Sequence, residues 1–317
     1  MKRLIISSIM LGLSVLCLPL AGADKKPLTK EPSAKIIEAA IRKATKKPTG
    51  ELTKADLEKV TELNLNRSQL TDVKGLEKLT QLKSLYLSQN KLTDVKGLEK
   101  LTELTELWLY ENQLTDVKGL EKLTQLTKLI LDGNQLTGVK GLEKLTKLEW
   151  LHLGNNQLTE VPMGLDKLTQ LKFLYLQFNR LPDVTGLEKL TQLKVLYLYT
   201  NQLAEVPKGL NKLTQLKVLN LGDNQLTNVK GLEKLTQLKK LSLYKNQLTE
   251  VKGLENLTEL TYLNLYGNQL TKLPKGLEKL TQLEDLDLQH NPNLAKAQIA
   301  ELQKALPNCK ISSSPTK

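Results

Sequence analysis

The sequence predicts an α/β solenoid: a curved right-handed superhelix with one parallel concave sheet, short 3-10 or helical convex turns, and a helical cap at each end. Three observations carry that expectation. An eleven-residue pattern, L-x-x-L-x-L-x-x-N-x-L, stands most cleanly at residues 104–114, LTELWLYENQL. It recurs along the chain in steps of 22 or 23 residues. Aromatic residues are only 4% of the 317, while leucine dominates the apolar set. That composition suits a leucine-lined coil that grows by addition better than one large globular core.

The chain opens on a secretory signal at residues 1–23. Lys2 and Arg3 form a basic start, residues 4–20 are apolar, and Ala21, Gly22 and Ala23 make a small-residue cleavage site. Cys17 follows Leu16, where a lipidation motif wants a small residue. After cleavage Cys309 stands alone, so no internal disulfide is expected; it should pack as a small hydrophobe. No later stretch is apolar enough to span a membrane, and the expected location is the cell envelope, the periplasm or the medium.

Residues 24–59 hold a flexible lead-in and a helical cap. Ser33 is the expected N-cap of a helix with the apolar stripe Ile36, Ile37, Ala40, Ile41 and Ala44. KKPTG at 46–50 breaks it, and Thr53 with Asp56 starts a second short helix that buries Leu57 and Val60.

Eleven coils fill residues 60–294. They begin at Val60, Leu82, Leu104, Leu126, Leu148, Leu171, Leu193, Leu216, Leu238, Leu260 and Leu283. The three 23-residue steps carry VPMGL, VPKGL or LPKGL in place of VKGL, so the extra residue belongs to the convex connector. Val73, Leu76 and Leu79 typify apolar connector positions spaced by three, the period of a 3-10 turn. An Asn occupies the turn of every coil from Asn90 to Asn291, whereas the first coil has Ser68. Residues 295–312 form the second cap, a helix burying Ile299, Leu302 and Leu306, then a closing strand through Cys309, Lys310 and Ile311. Residues 313–317 are a tail.

The pattern is the leucine-rich repeat signature. Its 22-residue units resemble those of the bacterial internalins over about residues 50 to 294. The resemblance implies a leucine-rich repeat solenoid that is exported and binds a partner through its concave face.

Framework positions barely vary between coils, whereas the outward positions of the strand vary most. All twelve aromatic residues fall at those outward positions. A central column runs Tyr86, Trp108, Ile130, His152, Tyr175 and Tyr197. Trp150, Phe173 and Val195 flank it on one side and Tyr110 and Tyr199 on the other, and Phe178 is a further outward aromatic. Glu106, Lys128 and Asp132 would orient a ligand, and Tyr244, Tyr262 and Tyr266 form a second, smaller patch. Clustered aromatics on a rigid sheet have the make-up of a binding hot spot.

Catalytic constellations do not appear. His152 and His290 are far apart, no Cys/His metal spacing or phosphate loop is present, and Asp285 with Asp287 suits a charged rim. No enzyme activity, cofactor or metal is expected. Net charge is +12, falling to +10 without Lys2 and Arg3, but lysines recur in phase with glutamates, as in KGLEKLTQLK, which argues against nucleic acid. The expected function is recognition of a protein or peptide, or of a glycan, by a monomer. The alternative is a structural envelope component held electrostatically by its basic outer face.

Overall fold

The computed structural model describes residues 32–314. The signal expected at 1–23 and nearly all of the lead-in lie outside the described residues. The chain forms one twelve-stranded sheet whose strands run parallel in chain order. They are β1 (Glu62–Asn64), β2 (Ser84–Tyr86), β3 (Glu106–Trp108), β4 (Lys128–Ile130), β5 (Trp150–His152) and β6 (Phe173–Tyr175). Then come β7 (Val195–Tyr197), β8 (Val218–Asn220), β9 (Lys240–Ser242), β10 (Tyr262–Asn264), β11 (Asp285–Asp287) and β12 (Lys310–Ser312). The eleven coils thus supply eleven strands, and the cap supplies the twelfth.

The strands are in strict register, so like positions of successive coils stand side by side: Leu85 pairs with Leu107, and Leu107 with Leu129. The middle leucine enters the core and its two neighbours face outward. Each strand is shorter than the leucine spacing suggested, because Leu104 lies in the turn before β3 and Leu109 just beyond it. Nearly all coil leucines are 0% exposed. Burying one such side chain contributes about 1.5–3 kcal/mol, and the gain recurs in each coil.

The convex return path is a single 3-10 turn, as the spacing by three predicts. Nine connectors carry one, from Leu76–Lys78 to Leu277–Lys279. In the first, the Leu76 N–H donates to Val73 (3.1 Å) and the Leu79 N–H to Leu76 (2.9 Å). Gly75 precedes the turn at φ 107°, a conformation an L side chain rarely adopts. Its N–H donates to the Glu77 carboxylate at 2.6 Å. The same bond recurs at Gly97 (2.6 Å), Gly141 (2.7 Å), Gly186 (2.8 Å) and Gly231 (2.7 Å). The repeated glutamate is therefore a local cap of the turn as well as a surface charge.

The repeated asparagines occupy the opposite corner, where the chain leaves the sheet. Asn156 is typical. Its Oδ1 accepts the Leu136 N–H at 3.0 Å, and its Nδ2 donates to Leu131 at 3.0 Å, both in the preceding coil. Nδ2 also reaches Leu153 (3.2 Å) and Gly154 (3.0 Å) in its own coil. Each asparagine therefore satisfies backbone groups of the coil before it, which would otherwise be buried unpaired. The first coil has no predecessor to serve, which accounts for Ser68.

The N-terminal cap departs from expectation at Ser33, at Ala44 and at Leu57, which the second helix leaves only partly buried. Helix α1 (Ser33–Thr45) starts after Pro32, and Ser33 makes no capping bond to it. The buried Ser33 hydroxyl instead accepts the Thr71 and Asp72 N–H groups at 3.0 and 3.3 Å. It thus ties the helical cap to the first coil, just beyond the corner that Asn90 serves. Ile37 and Ile41 are buried, Ile36 and Ala40 pack at the border, and Ala44 is exposed, so the apolar stripe ends one turn early. Helix α2 (Lys54–Leu57) has the expected reciprocal cap between Thr53 and Asp56. At the other end α3 (Lys296–Ala305) buries Leu302, with Ile299 partly covered. Cys309 is free and 4% exposed, and burial raises its thiol to about 11. It packs as a hydrophobe.

Asn156→Ala orphans buried groups in two adjacent coils. At about 1–3 kcal/mol for each unpaired group, stability is expected to fall by about 3 kcal/mol or more. Urea unfolding measures this, and a parental midpoint would show that the amide is dispensable. The glutamate caps give a pH dependence. Bonds from their own backbone N–H and from the preceding glycine hold Glu99, Glu143, Glu188 and Glu233 below the ordinary carboxylate value of 4.5. Their stabilisation is complete above that value and is lost as pH falls through the lowered folded values. The melting temperature should therefore fall below about pH 4. Replacing the four by Gln, which still accepts a bond but does not titrate, should flatten that decline.

Candidate binding surface

Strict register turns the outward strand positions into columns one strand apart, about 4.8 Å. The central column aligns Tyr86, Trp108, Ile130, His152, Tyr175 and Tyr197 in neighbouring strands. Beside it stand Glu106, Lys128, Trp150, Phe173 and Val195.

The side chains interlock along these columns. Tyr86 meets Trp108 edge to face at 5.4 Å. Trp108 donates its Nε1–H to Glu106 at 2.8 Å, and Glu106 also pairs with the Lys128 ammonium at 3.0 Å. Burial works to raise the Glu106 pKa, but the bonds from Lys128 and Trp108 outweigh it and hold the carboxyl below its usual range. The Lys128 ammonium lies 4.7 Å from the Trp108 ring and 5.5 Å from that of Trp150, a double cation–π contact. Trp150 stacks on Phe173 at 3.8 Å. In the central column His152 lies on Tyr175 at 3.9 Å, Tyr175 meets Tyr197 at 5.0 Å, and Tyr197 meets Tyr199 at 5.9 Å. Burial pushes the Tyr175 hydroxyl up to about 12, so it stays a neutral hydrogen-bonding group at physiological pH.

Several residues stand differently from their sequence assignment. Ile130 is only 7% exposed and lies between Trp108 and His152 in its column, so it is floor and offers little surface. Phe178 is not a strand residue. It sits in the turn at φ 53°, 48% exposed, with its ring edge-on to Tyr199 at 5.1 Å. Asp132 lies down along the sheet face toward the next coil, bonding the Gly154 N–H at 2.9 Å and His152 Nδ1 at 3.1 Å, and so holds the imidazole. Tyr110 donates its hydroxyl to Glu111, which raises its pKa to about 12.

The second patch divides. Tyr266 tilts onto His290 at 4.7 Å, and the Tyr262 hydroxyl accepts from Asn264 at 3.1 Å. The Tyr244 ring lies over Gly222, where an added Cβ would meet it at 2.1 Å. Gly154 has a similar role, since a Cβ there would meet Gln177 at 2.5 Å and Asp132 at 2.6 Å. These glycines are openings that let neighbouring side chains lie down on the sheet. Their sequence signal is a glycine in a column otherwise filled by larger residues. Buried side-chain atoms without a hydrogen-bond partner among the described residues are Ser88 Oγ, His152 Nε2 and Gln177 Oε1. All belong to outward columns.

Coils of this length, a parallel sheet, 3-10 returns and an asparagine at each corner define a leucine-rich repeat solenoid. The profile of the leucine-rich repeat region family matches residues 132–252. That of paired leucine-rich repeats matches five segments, the first at 58–100 and the last at 258–304. An internalin (inlF) of Listeria monocytogenes is 26% identical, with 92% of this chain and 95% of that one covered and a TM-score of 0.74. An internalin C2 (inlC2) of the same species is 30% identical, covering 69% of this chain and 100% of its own, with a TM-score of 0.63. The leucine-rich repeat ectodomain of the plant receptor kinase GASSHO1/SCHENGEN3, solved in complex with Casparian strip integrity factor 2, is 25% identical. The match covers 84% of this chain and 40% of that one, with a TM-score of 0.59. No curated protein matches the chain.

The chain belongs to the bacterial, internalin-like leucine-rich repeat proteins. Proteins of this kind are typically non-enzymatic scaffolds for protein interaction, and the internalin-like neighbours are typically surface or secreted proteins. Among the described residues no helix is long and apolar enough to cross a membrane.

Gly222→Ala should displace the Tyr244 ring and cost about 1–3 kcal/mol through overpacking. Near-ultraviolet circular dichroism and urea unfolding read the two effects. Adding Tyr244→Ala should recover much of the loss; an additive double variant would show that the two residues are uncoupled.

Proposed function

We propose that the chain is an exported recognition protein that binds a protein or peptide across the aromatic columns of its sheet face. The observation that carries this reading is the continuity of the surface from Tyr86 to Tyr199, built at the positions free to vary between coils. Export rests on the basic, apolar and small-residue succession of residues 1–23.

Ring geometry favours a polypeptide over a glycan. Sugar recognition wants open ring faces on which a pyranose can lie. Here Trp150 is covered by Phe173 on one side and approached by the Lys128 ammonium, and Trp108 carries the same ammonium. Ring edges remain, and they suit aliphatic and aromatic side chains. Electrostatic attachment by the convex face is less well supported, because the lysines there alternate with glutamates. Glu99 feels Lys122 and Lys100, and Glu143 feels Lys167 and Lys144.

The test is retention of a ligand from envelope extracts and culture medium by the immobilised chain, beside a variant with Trp108, Trp150, Tyr175 and Tyr197 changed to Ala. Interface anchors typically cost about 1–4 kcal/mol each on truncation, so the variant should bind at least a hundredfold more weakly with an unchanged far-ultraviolet spectrum. Equal retention by both, abolished by salt, would refute the aromatic-face reading.

A further inference from the structure

Lysines at the edge where the chain enters the sheet form a ladder that the sequence hides. Lys172, Lys194, Lys217 and Lys239 are 22 or 23 positions apart and look dispersed. In the fold they are immediate neighbours. The Lys194 N–H donates to the Lys172 carbonyl (2.8 Å), that of Lys217 to Lys194 (2.8 Å), and that of Lys239 to Lys217 (2.9 Å). Lys240, the first residue of β9, adjoins the last rung. Lys217, Lys239 and Lys240 are exposed, and Lys194 is half-exposed.

Side chains on this edge are close enough to pair when their charges allow it. At the start of the ladder Lys172 meets Glu149, the same position of the preceding coil, at 2.8 Å. Beyond it the acids stop. The residues two before each lysine are Gln170, Gln192, Gln215 and Gln237, where other coils have Glu103 and Glu259. Among the described residues no carboxylate lies within 4.0 Å of Lys194, Lys217, Lys239 or Lys240. Convex lysines have acids in their own and the adjoining turns: Glu99 feels Lys122 and Lys100, and Glu143 feels Lys167 and Lys144. Like charges in register repel, so an unneutralised ladder costs the coil and gains from an anionic partner.

We propose that this ladder is the docking strip for an acidic, extended segment of a polypeptide partner. Beside the unpaired rungs Lys194 and Lys217 the next column inward supplies Val195 and Val218, aliphatic residues, and the ring of Phe173 beside Lys172 is already stacked on Trp150, so a nucleobase finds no open ring next to the free lysines. Four rungs span about 14 Å, the length of about five extended residues, which is a short footprint for a polyanion and an ample one for a peptide. The strip thus favours a segment that alternates acidic and apolar side chains. It relies on the sheet-face reading for the class of partner, and on the ladder alone for its charge.

The test uses a fluorescent octapeptide of alternating Glu and Val, its Lys and Val counterpart, and an eight-nucleotide oligothymidylate, titrated into the purified chain at low salt. The Glu peptide should bind and the Lys peptide should not. K194Q/K217Q/K239Q should weaken Glu-peptide binding at least tenfold, whereas K100Q/K122Q/K144Q, with the same charge change on the convex side, should stay within twofold. Equal loss in both triple variants, no binding of the Glu peptide, or tighter oligothymidylate binding that depends on the ladder would each overturn the proposal. W150A/Y197A separates the two ideas. Glu-peptide binding that survives there but is lost in the ladder variant supports the ladder even if the aromatic reading fails; loss in W150A/Y197A alone overturns it.

Discussion

Every coil leaves the sheet at a corner whose backbone groups are buried and turned away from the strand ladder. The side-chain amide of the next asparagine answers them, as Asn156 does for Leu136 and Leu131. Three-residue strands make few hydrogen bonds of their own, so these amides hold the strands in register. Register in turn aligns the leucines into one continuous core and the outward positions into columns. A shift of one residue would carry every leucine to the solvent side.

With the backbone so determined, the sheet face is free to carry chemistry. Its rings do not stand as separate anchors. Lys128 ties Trp108 to Trp150, Asp132 fixes His152, and glycine at 154 and 222 lets larger neighbours lie flat. Such a surface is already ordered in the chain alone, so a partner that used it would meet a low entropic cost. The convex side is the opposite in kind, a mosaic in which charges are matched locally by the glutamates that cap the turns.

Much of this was legible in the sequence because a 22-residue period repeats the same evidence eleven times. The coils, the 3-10 returns, the Thr53 cap and the burial of Cys309 all follow from local pattern. What escaped depends on which of two partners a group chooses. Ser33 has the look of an N-cap, but its hydroxyl goes to the Thr71 and Asp72 N–H groups of the first coil. Phe178 reads as a strand residue, but the strand ends at Tyr175 and the phenylalanine falls in a left-handed turn. Ile130 shares a column with aromatics that cover it. The paired faces of Trp150 and Phe173, and the gathering of Lys194, Lys217 and Lys239, exist only once the coils are laid side by side.

The asparagine bonds also have a direction. Those that cross between coils run from a later coil back to an earlier one, from Asn112 to Leu92 and from Asn291 to Leu270. A chain emerging from the ribosome N-terminus first therefore always ends in a coil whose corner still waits for the next. The corner of the newest coil can be satisfied only after the following repeat has emerged, and the row ends at β12. The solenoid is complete at its beginning long before it is complete at its end.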